Sequence, residues 1–379
     1  MIGAASRVTL QLPRRRRDVL GAGVAGLTSL GLVSGCGAGG ASTSPAAGGS
    51  PASQPPQADA SAATAAGTPA PRAAVQQASL RLSWIKNTEF AGFFAAQDRG
   101  YYRDEGIDLT INGAAQNLSE VQAVASKADT IGLSGGLSLL LARAQGLPVK
   151  AFGALFQRGP GCFLWLSRSG IKGIQDFKGK KIGIQQTARA STEAMLTMNN
   201  LSVEDVSLIT VGFDLQPLLT GQVDVLTGLV TNQVVLLEQQ GEQVGYTPYA
   251  DLGFTFYWNT PFVLEDTLRE RKDLLTAWLR ASARGWDYAL QNPDEVAKLV
   301  VEKYGEGLDL TNQTLELKRE TPLIRSELTA QKGLFWMDPA VWRTGQDILL
   351  NRTRQLDKPV LAEDVATLEI LTRVGKIGG

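Results

Sequence analysis

The stretch from Leu80 to Asp108 constrains the fold of this chain most, because it shows the order strand, loop, helix, strand. Apolar and polar residues alternate from Leu80 to Trp84, which is the period of a strand. Apolar residues then recur at helical spacing from Phe90 to Gln97, and Gly106 precedes the next apolar run. Ligands of an open parallel sheet gather at the carboxyl ends of its strands. We therefore expect the segment between Trp84 and Phe90 to face a ligand.

The remainder of the chain repeats this alternation of short apolar strands with amphipathic helices. Strand patterns such as those at 130–133 and 206–211 are each followed by a helical pattern, and the pattern is helical throughout after residue 273. This predicts the α/β class with a mainly parallel sheet. Pro293 and Pro339 suit the first turns of two of the closing helices.

The first 78 residues do not have a globular composition. Residues 1–36 are similar to an export signal, in which Arg14–Arg17 form a basic head, Val19–Val33 is apolar, and Cys36 ends a sequence similar to a bacterial lipobox. Lipidation of Cys36 would hold the chain on the extracytoplasmic face of the cell membrane. The alternative is an ordinary signal peptide that is cut elsewhere. Residues 37–78 are rich in Ala, Gly, Ser and Pro, which predicts a disordered tether.

The charge balance argues against nucleic acid as a partner. The chain carries 37 basic and 37 acidic residues, and removal of residues 1–35 takes away five arginines and one aspartate, which leaves 32 bases and 36 acids. A slightly acidic domain without a basic run does not match a polyanion. Besides Cys36 the chain has one cysteine, Cys162, so we expect neither an internal disulfide nor a zinc cluster.

The chain contains no histidine, which limits its chemistry. Histidine is the commonest general base and metal ligand, so Ser–His–acid and Cys–His catalysis are excluded. Paired carboxylates or lysine chemistry remain, and the sequence places no such pair convincingly. We therefore assign no catalytic residue to the chain and expect no cofactor and no metal, with carboxylate or lysine chemistry as the enzymatic routes left open.

Two further strand ends carry candidate ligand-binding groups. Ser134 and Gly135 come between a strand and a helix, so they offer a hydroxyl and an amide to a polar ligand atom, unless Ser134 is a plain helix cap. After the strand that ends near residue 184, Thr187 supplies a hydroxyl and Arg189 supplies the one cation of its stretch. The alternative is a solvated Arg189 beside a helix cap at residues 191–192.

Four segments carry a resemblance to a known family. In order they are NTEFAGFFAAQDRGYYRDEGID, IGLSGG, DFKGKKIGI, and LTGQVDVLTG followed by EQQGEQV. The chain resembles a solute-binding lipoprotein of an ATP-binding-cassette importer, from the group that serves nitrate, sulfonates, taurine, thiamine pyrimidine precursors and riboflavin. The resemblance implies a two-lobed periplasmic-binding-protein-like fold with two crossovers and C-terminal helices, with lobe 1 at 79–164 and 256–379 and lobe 2 at 165–255. It also implies a monomer whose partners are a permease and its ATPase.

One relative in this group is an enzyme, a pyrimidine synthase. It is similar at Asn87-Thr88 but continues with Asn-His, and it uses that histidine and a cysteine-rich segment. Here Glu89 and Phe90 stand in those places, and Cys162 is isolated. These differences argue against the synthase activity.

The ligand is predicted from the residues at the strand ends. Oxyanion-binding members of the group use hydroxyls, amides and an arginine, so Ser134 and Arg189 would suit a sulfonate, taurine or nitrate. The aromatic residues at the strand ends, such as Trp84, Tyr257 and Trp258, favour a ligand with a planar ring instead. Asn87-Thr88 is similar to the binders of formylaminopyrimidine, a thiamine precursor, whereas the run from Glu89 to Phe94 is more similar to flavin-type receptors, and we predict riboflavin. The candidate ligand-binding residues are Trp84, Asn87, Glu89, Phe90, Ser134, Gly135, Gln157, Thr187, Arg189, Asn232, Tyr257, Trp258 and Asn259.

Overall fold

The computed structural model describes residues 75–379 except 116, 117 and 213, and it does not describe the side chain of Thr187. The predicted export signal, the lipidation site Cys36 and the tether up to residue 74 lie outside the described residues. The tether ends earlier than predicted, because the first strand begins at Gln76. Within the described residues no helix has the length and apolar character needed to cross a membrane.

Ten strands lie in the described residues. They are β1 Gln76–Arg81, β2 Ile107–Asn112, β3 Ile131–Ser134, β4 Val149–Ala151, β5 Gly161–Leu166, β6 Lys181–Ile184, β7 Ser207–Thr210, β8 Val225–Leu229, β9 Val244–Pro248 and β10 Thr260–Leu264. Fifteen α-helices accompany them. They are α1 Ala91–Asp98, α2 Tyr101–Asp104, α3 Glu120–Ala125, α4 Gly136–Ala144, α5 Arg189–Met198, α6 Gln216–Leu219, α7 Gln233–Gln239, α8 Glu265–Glu270, α9 Lys272–Gln291, α10 Pro293–Lys303, α11 Leu310–Ile324, α12 Glu327–Lys332, α13 Pro339–Asp347, α14 Ala362–Val365 and α15 Glu369–Val374.

The strands form two five-stranded sheets of the same plan. The first sheet has the order β2-β1-β3-β10-β4 and the second has the order β7-β6-β8-β5-β9. In each sheet one strand, β10 or β5, runs antiparallel to both of its neighbours, and the other strands are parallel to one another. We call the first sheet with its helices the first lobe, and the second sheet with α5 to α7 the second lobe.

The two segments that cross between the sheets lie side by side. Residues 152–160 join β4 to β5, and residues 249–259 join β9 to β10. Phe156 N–H donates to the Trp258 carbonyl at 3.1 Å, and Leu155 N–H donates to the Asn259 carbonyl at 3.3 Å. Strand β5 lies wholly in the second sheet, so the boundary predicted between residues 164 and 165 falls inside a strand. A residue in mid-strand is fixed by hydrogen bonds on both sides, and we therefore assign the first crossing to 152–160.

The opening unit contains one break that the helical pattern did not predict. Helix α1 ends at Asp98, and Gly100 has a φ of 75° before α2 begins. The helical periodicity of the apolar residues continues across this break, since Tyr102 is buried beyond it. A left-handed residue costs glycine little, which explains why the chain turns at that position.

Close packing of α1 against α9 fixes the core of the first lobe. A Cβ atom on Gly285 of α9 would lie 2.2 Å from the Gly92 carbonyl of α1, and a Cβ atom on Gly92 would lie 2.2 Å from the Trp286 ring. Phe93 stacks on Trp278 and meets Trp286 edge to face, each with ring centroids 5.7 Å apart. Only glycine allows this approach of the two backbones.

Alanine at position 285 is therefore expected to destabilise the protein. The methyl group has to push the two helices apart, and overpacking of this kind costs about 2 kcal/mol. Urea unfolding of Gly285→Ala should show that loss in the free energy of unfolding. Gly173→Ala is the matched control, because nothing lies within 4 Å of a Cβ at Gly173 and its φ of 175° suits any residue. Equal stability of the two variants would contradict the packing argument.

Candidate functional site

The strand ends of the first sheet come together at its topological switch point. Strand β1 lies between β2 and β3, so the chain leaves β1 and β3 toward different neighbours. Ser83 follows β1, Gly135 follows β3, and Thr260 at the start of antiparallel β10 pairs with Ser134 at the end of β3. Residues Trp258 and Asn259 therefore enter the same edge as the ends of β1 and β3. This is the edge at which such sheets bind ligands.

Glu89 is the centre of the polar contacts at this edge. Its side chain is 2% exposed, and Oε1 accepts hydrogen bonds from Trp258 Nε1 and Asn259 Nδ2, both at 3.0 Å. Ser83 Oγ donates to Asn259 Oδ1 at 3.0 Å. Asn259 has a φ of 46°, a strained left-handed conformation that costs a non-glycine residue of order 1 kcal/mol. The carboxyl group thus fixes the position of the Trp258 ring.

Asn87 is buried and holds the backbone of Glu89 in place. Its side chain is 1% exposed, and Oδ1 caps the turn Thr88–Phe90 by accepting from Glu89 N at 3.2 Å. Its Nδ2 donates to Glu316 Oε1 of α11 at 3.1 Å. Both ends of the amide are therefore engaged, which makes Asn87 a residue that positions the strand end.

Glu316 accepts hydrogen bonds from three amide side chains. Besides Asn87, Asn232 Nδ2 donates to its Oε1 and Oε2 at 3.3 and 3.2 Å, and Gln313 Nε2 donates to Oε2 at 2.8 Å. Gln313 Oε1 in turn accepts from Thr88 N at 2.9 Å. Because Asn232 precedes α7, this network reaches from the first lobe to the second.

Three glutamates are buried in this region, and none of them has an ion pair with a cation of the described residues. Burial raises the pKa of Glu89, although the hydrogen bonds from Trp258 and Asn259 oppose the shift. Burial and the nearby Glu89 raise the pKa of Glu316 to about 8. Glu320 is fully buried, neither of its side-chain oxygens has a hydrogen-bond partner, and burial raises its pKa well above the ordinary value. The site therefore carries three carboxyl groups with raised pKa values, of which Glu316 takes up a proton near neutral pH.

Aromatic rings line the same edge. Trp258 is partly exposed, and a Cβ on Gly135 would lie 3.7 Å from its Cε3, so the absence of a side chain at Gly135 keeps this part of the ring uncovered. Trp84 is also partly exposed. Tyr257 is buried, and its hydroxyl accepts from Asp338 N at 2.7 Å. Phe90 is fully buried in the hydrophobic core. Trp258 and Trp84 are thus the rings with surface left for a ligand.

Several predicted site residues have other partners. Ser134 is the last residue of β3 and not a helix cap, and its hydroxyl donates to Glu120 Oε1 at 2.6 Å, because the helix begins at Gly136. Gln157 Nε2 donates to the main-chain carbonyls of Ala154 and Trp336. Arg189 pairs with Glu193 along its own helix with both side chains partly exposed.

The stretch around Thr187 differs from its prediction in one respect. A turn at Gln186–Ala188 leads directly into α5, which begins at Arg189. The predicted cap at residues 191–192 is wrong, because both hydroxyls lie inside the helix and donate to the Ala188 carbonyl. Thr187 lies in the turn, at the carboxyl end of β6.

The second lobe contributes Gln185, a residue that the sequence did not single out. It follows β6, which lies between β7 and β8. Its Nε2 donates to the Thr227 carbonyl at 3.3 Å, and Thr227 Oγ1 donates to its Oε1 at 2.9 Å. This is the switch point of the second sheet.

Glu316, Gln313 and Glu320 were also missed. Their spacing places them on one face of α11, together with buried Leu317 and Ile324. Because polar residues stand on that face, the sequence of α11 does not show a continuous apolar stripe. A helix with such a composition is normally a solvated one.

One family model and several curated proteins are similar to this chain. The family model described as NMT1/THI5 like matches residues 87–296. The riboflavin-binding protein RibY of Chloroflexus aurantiacus is 32% identical over 324 residues, which cover 83% of this chain and 92% of that protein. The formylaminopyrimidine-binding protein of Halalkalibacterium halodurans is 23% identical over 304 residues, which cover 77% of this chain and 89% of that protein. Further matched relatives are named 4-amino-5-hydroxymethyl-2-methylpyrimidine phosphate synthases.

A solved structure confirms the predicted fold class. The alkanesulfonate-binding protein SsuA of Xanthomonas axonopodis pv. citri, bound to MOPS, matches with a TM-score of 0.63 at 16% identity, over 78% of this chain and 99% of that chain. At this identity the likeness shows the two-lobed α/β fold alone.

Proposed function

This chain belongs to the NMT1/THI5-like family, and on that premise we propose that it is the solute-binding protein of an ATP-binding-cassette importer that captures riboflavin. The observation that carries the choice of a planar heteroaromatic ligand is the carboxyl group of Glu89 beside the partly exposed ring of Trp258. A planar neutral ligand gains contact area on the indole, and its N–H groups match carboxyl oxygens. The name of the relative RibY supports the same ligand.

The charges of the site argue against the oxyanion alternative. Sulfonate, taurine and nitrate ligands carry an anionic group, which needs cations or a cluster of N–H donors. The cation predicted for that role, Arg189, pairs with Glu193, whereas Trp258 contacts the buried Glu89, which interacts in turn with the buried Glu316 and Glu320. An anion beside these groups would be repelled whenever one of them is ionised.

A thiamine pyrimidine precursor is the second candidate. Like a flavin it is a planar heteroaromatic with N–H donors, so the Glu89 carboxyl and the Trp258 ring suit it equally. The relative named as a formylaminopyrimidine-binding protein favours it, at a lower identity than RibY. The size of the ring system that stacks on Trp258 is therefore what an experiment has to decide.

The mechanism follows from the two crossings. Ligand docks on the strand ends of the first lobe, the segments 152–160 and 249–259 bend, and the second lobe closes over it. A ligand drives closure only through tighter binding to the closed form. The closed form is then the one that a permease with its ATPase recognises. The protein is a monomer without a cofactor, held by a lipid on Cys36 to the outer face of the cell membrane.

The proposed function includes no catalysis. The matched synthases make catalysis the remote alternative, but the chain has no histidine and carries Glu89 and Phe90 where the resembling synthase pattern has Asn-His. Riboflavin recovered unchanged after prolonged incubation is the expected result.

Fluorescence titration tests the ligand directly. Stacking on tryptophan quenches flavin emission, so riboflavin emission should fall on addition of the protein, with a Kd of micromolar or below. Formylaminopyrimidine and an alkanesulfonate serve as competitors and should not restore the emission at equal concentration. Unchanged flavin emission at micromolar protein would contradict riboflavin, and recovery of emission by formylaminopyrimidine would favour the pyrimidine.

A further inference from the structure

Helix α11 connects the two lobes through one buried carboxyl group. It packs mainly on α10 and on the turn Thr88–Phe90 of the first lobe, and it also contacts α9 of the first lobe and α7 of the second lobe. Glu316 is 1% exposed at this junction. Both of its oxygens accept from Asn232, which precedes α7. This contact is therefore made only while the two lobes lie together.

The same carboxyl group is tied to the ligand-bearing strand end. Asn87 donates to Glu316 with one end of its amide and caps Glu89 with the other. Gln313 adds a second connection, since it donates to Glu316 and accepts from Thr88 N. A displacement of Glu316 would therefore shift Glu89 as well, once through Asn87 and once through Gln313 and the Thr88 backbone.

We propose that Glu316 is a positioning residue that ties the segment Asn87–Glu89 to Asn232 of the second lobe and so holds the lobes closed on the ligand. The proposal deepens the proposed function and rests on it wherever ligand is measured. It assigns to Asn87 and Asn232 a role in closure in place of direct ligand contact.

The charges around Glu316 make this link depend on pH. The charged groups near it are Glu89 on the turn Thr88–Phe90, Glu320 on α11, the pair Arg319–Glu238 with α7 and the pair Lys318–Asp294 with α10. Burial, followed by Glu89, raises the pKa of Glu316 to about 8, from an ordinary value of 4.5. Opening of the lobes removes the hydrogen bond from Asn232, which by itself would raise the pKa of Glu316, and admits water, which lowers it. Burial is the largest cause of the raised pKa, so the open form has the lower pKa of the two. Closure therefore takes up a proton, and its stability falls as pH rises toward 8.

The dissociation rate of riboflavin from the full chain tests this link. Between pH 6 and pH 9 we expect the wild-type rate to rise roughly tenfold, and Glu316→Gln, which keeps the group neutral, to reduce that rise to about threefold. Glu89 and Glu320 remain in both proteins, so the difference between the two profiles isolates Glu316. A merely structural role would leave the two profiles parallel.

Hydrogen exchange in the ligand-free chain gives a readout that needs no ligand, because that chain also samples the closed form in which Glu316 contacts Asn232. Glu316→Ala should speed exchange of amides at residues 87–90 and 229–236 by roughly tenfold, because both segments lose the same anchor. Glu316→Gln should restore slow exchange. Amides of β6 serve as the internal reference, and Glu238→Gln is the matched variant, since its pair with Arg319 crosses to α7 at the exposed surface and contributes little.

The possible failures are distinguishable. If the wild type binds no riboflavin, the proposed ligand fails and hydrogen exchange alone decides the link. If riboflavin binds and Glu316→Gln keeps the wild-type pH profile, or if Glu316→Ala leaves exchange at residues 229–236 unchanged, the link is overturned while the proposed function stands.

Discussion

Replacing Glu89 with alanine should weaken riboflavin binding roughly 150-fold. The change removes the acceptor that orients Trp258 Nε1 and leaves the buried Asn259 Nδ2 without a partner. The unpaired Asn259 Nδ2 destabilises the free and the bound protein alike, whereas a lost hydrogen bond from the ligand to a carboxyl group and the ordering of a loosened Trp258 ring on binding each cost about 1–2 kcal/mol of affinity. A total near 3 kcal/mol corresponds to that factor in Kd. Fluorescence titration measures the effect.

Two controls separate binding from folding in this experiment. Glu204→Ala removes an exposed carboxyl group of the second lobe, and its Kd should stay within about twofold of the wild type. Urea unfolding should show that Glu89→Ala remains folded at the titration temperature. A Kd for Glu89→Ala within threefold of the wild type would contradict the central place of this carboxyl group.

Replacing Glu320 with methionine should raise the free energy of unfolding by roughly 3 kcal/mol at pH 8. The wild-type carboxyl is fully buried and both oxygens lack partners, so folding keeps it protonated at a pH where the unfolded chain ionises it. A raised pKa in an acid means that the folded state binds more protons than the unfolded state above the ordinary value of 4.5. Wild-type stability therefore falls as pH rises from about 4.5, by up to about 1.4 kcal/mol per unit.

The pH profile identifies the cause of this gain. Methionine fills a similar volume without a polar group, so Glu320→Met should gain about 1 kcal/mol at pH 5, from removal of the unpartnered oxygens, and most at pH 8. Denaturant unfolding at several pH values measures both. Glu302→Met, on the exposed face of α10, should change stability by less than about 0.5 kcal/mol at either pH. A gain for Glu320→Met that is the same at pH 5 and pH 8 would contradict the assignment of a proton to this carboxyl.

The strands and helices were predictable wherever a local sequence pattern fitted only one type of secondary structure. Helical spacing after Phe90 matched α1, and Pro293 and Pro339 do begin α10 and α13. The alternation from Leu80 to Trp84 found only the end of β1, which runs from Gln76 to Arg81. The break at Gly100 was not predicted, because the buried face continues across it in α2. The lobe boundary was placed late for a similar reason, since the apolar residues of β5 look the same in either sheet.

The site was predictable only in part. Glu89, Trp258 and Asn259 come together as their positions at strand ends suggested, because the carboxyl edge of a sheet collects such residues. Ser134 and Arg189 found nearer partners, in Glu120 and Glu193, which the linear sequence does not reveal. Glu316 is distant in sequence from Asn87, and its side chain resembles that of a solvated helix residue. Only the packing of α11 on the turn Thr88–Phe90 shows that it is buried.

Native mass spectrometry of the protein, purified without unfolding and incubated with saturating riboflavin, tests the central claim most directly. We expect one riboflavin per chain, lost in the Glu89→Ala variant and retained in Glu204→Ala. A chain that stays free of riboflavin, or that carries a pyrimidine or a sulfonate from the same mixture, would contradict it.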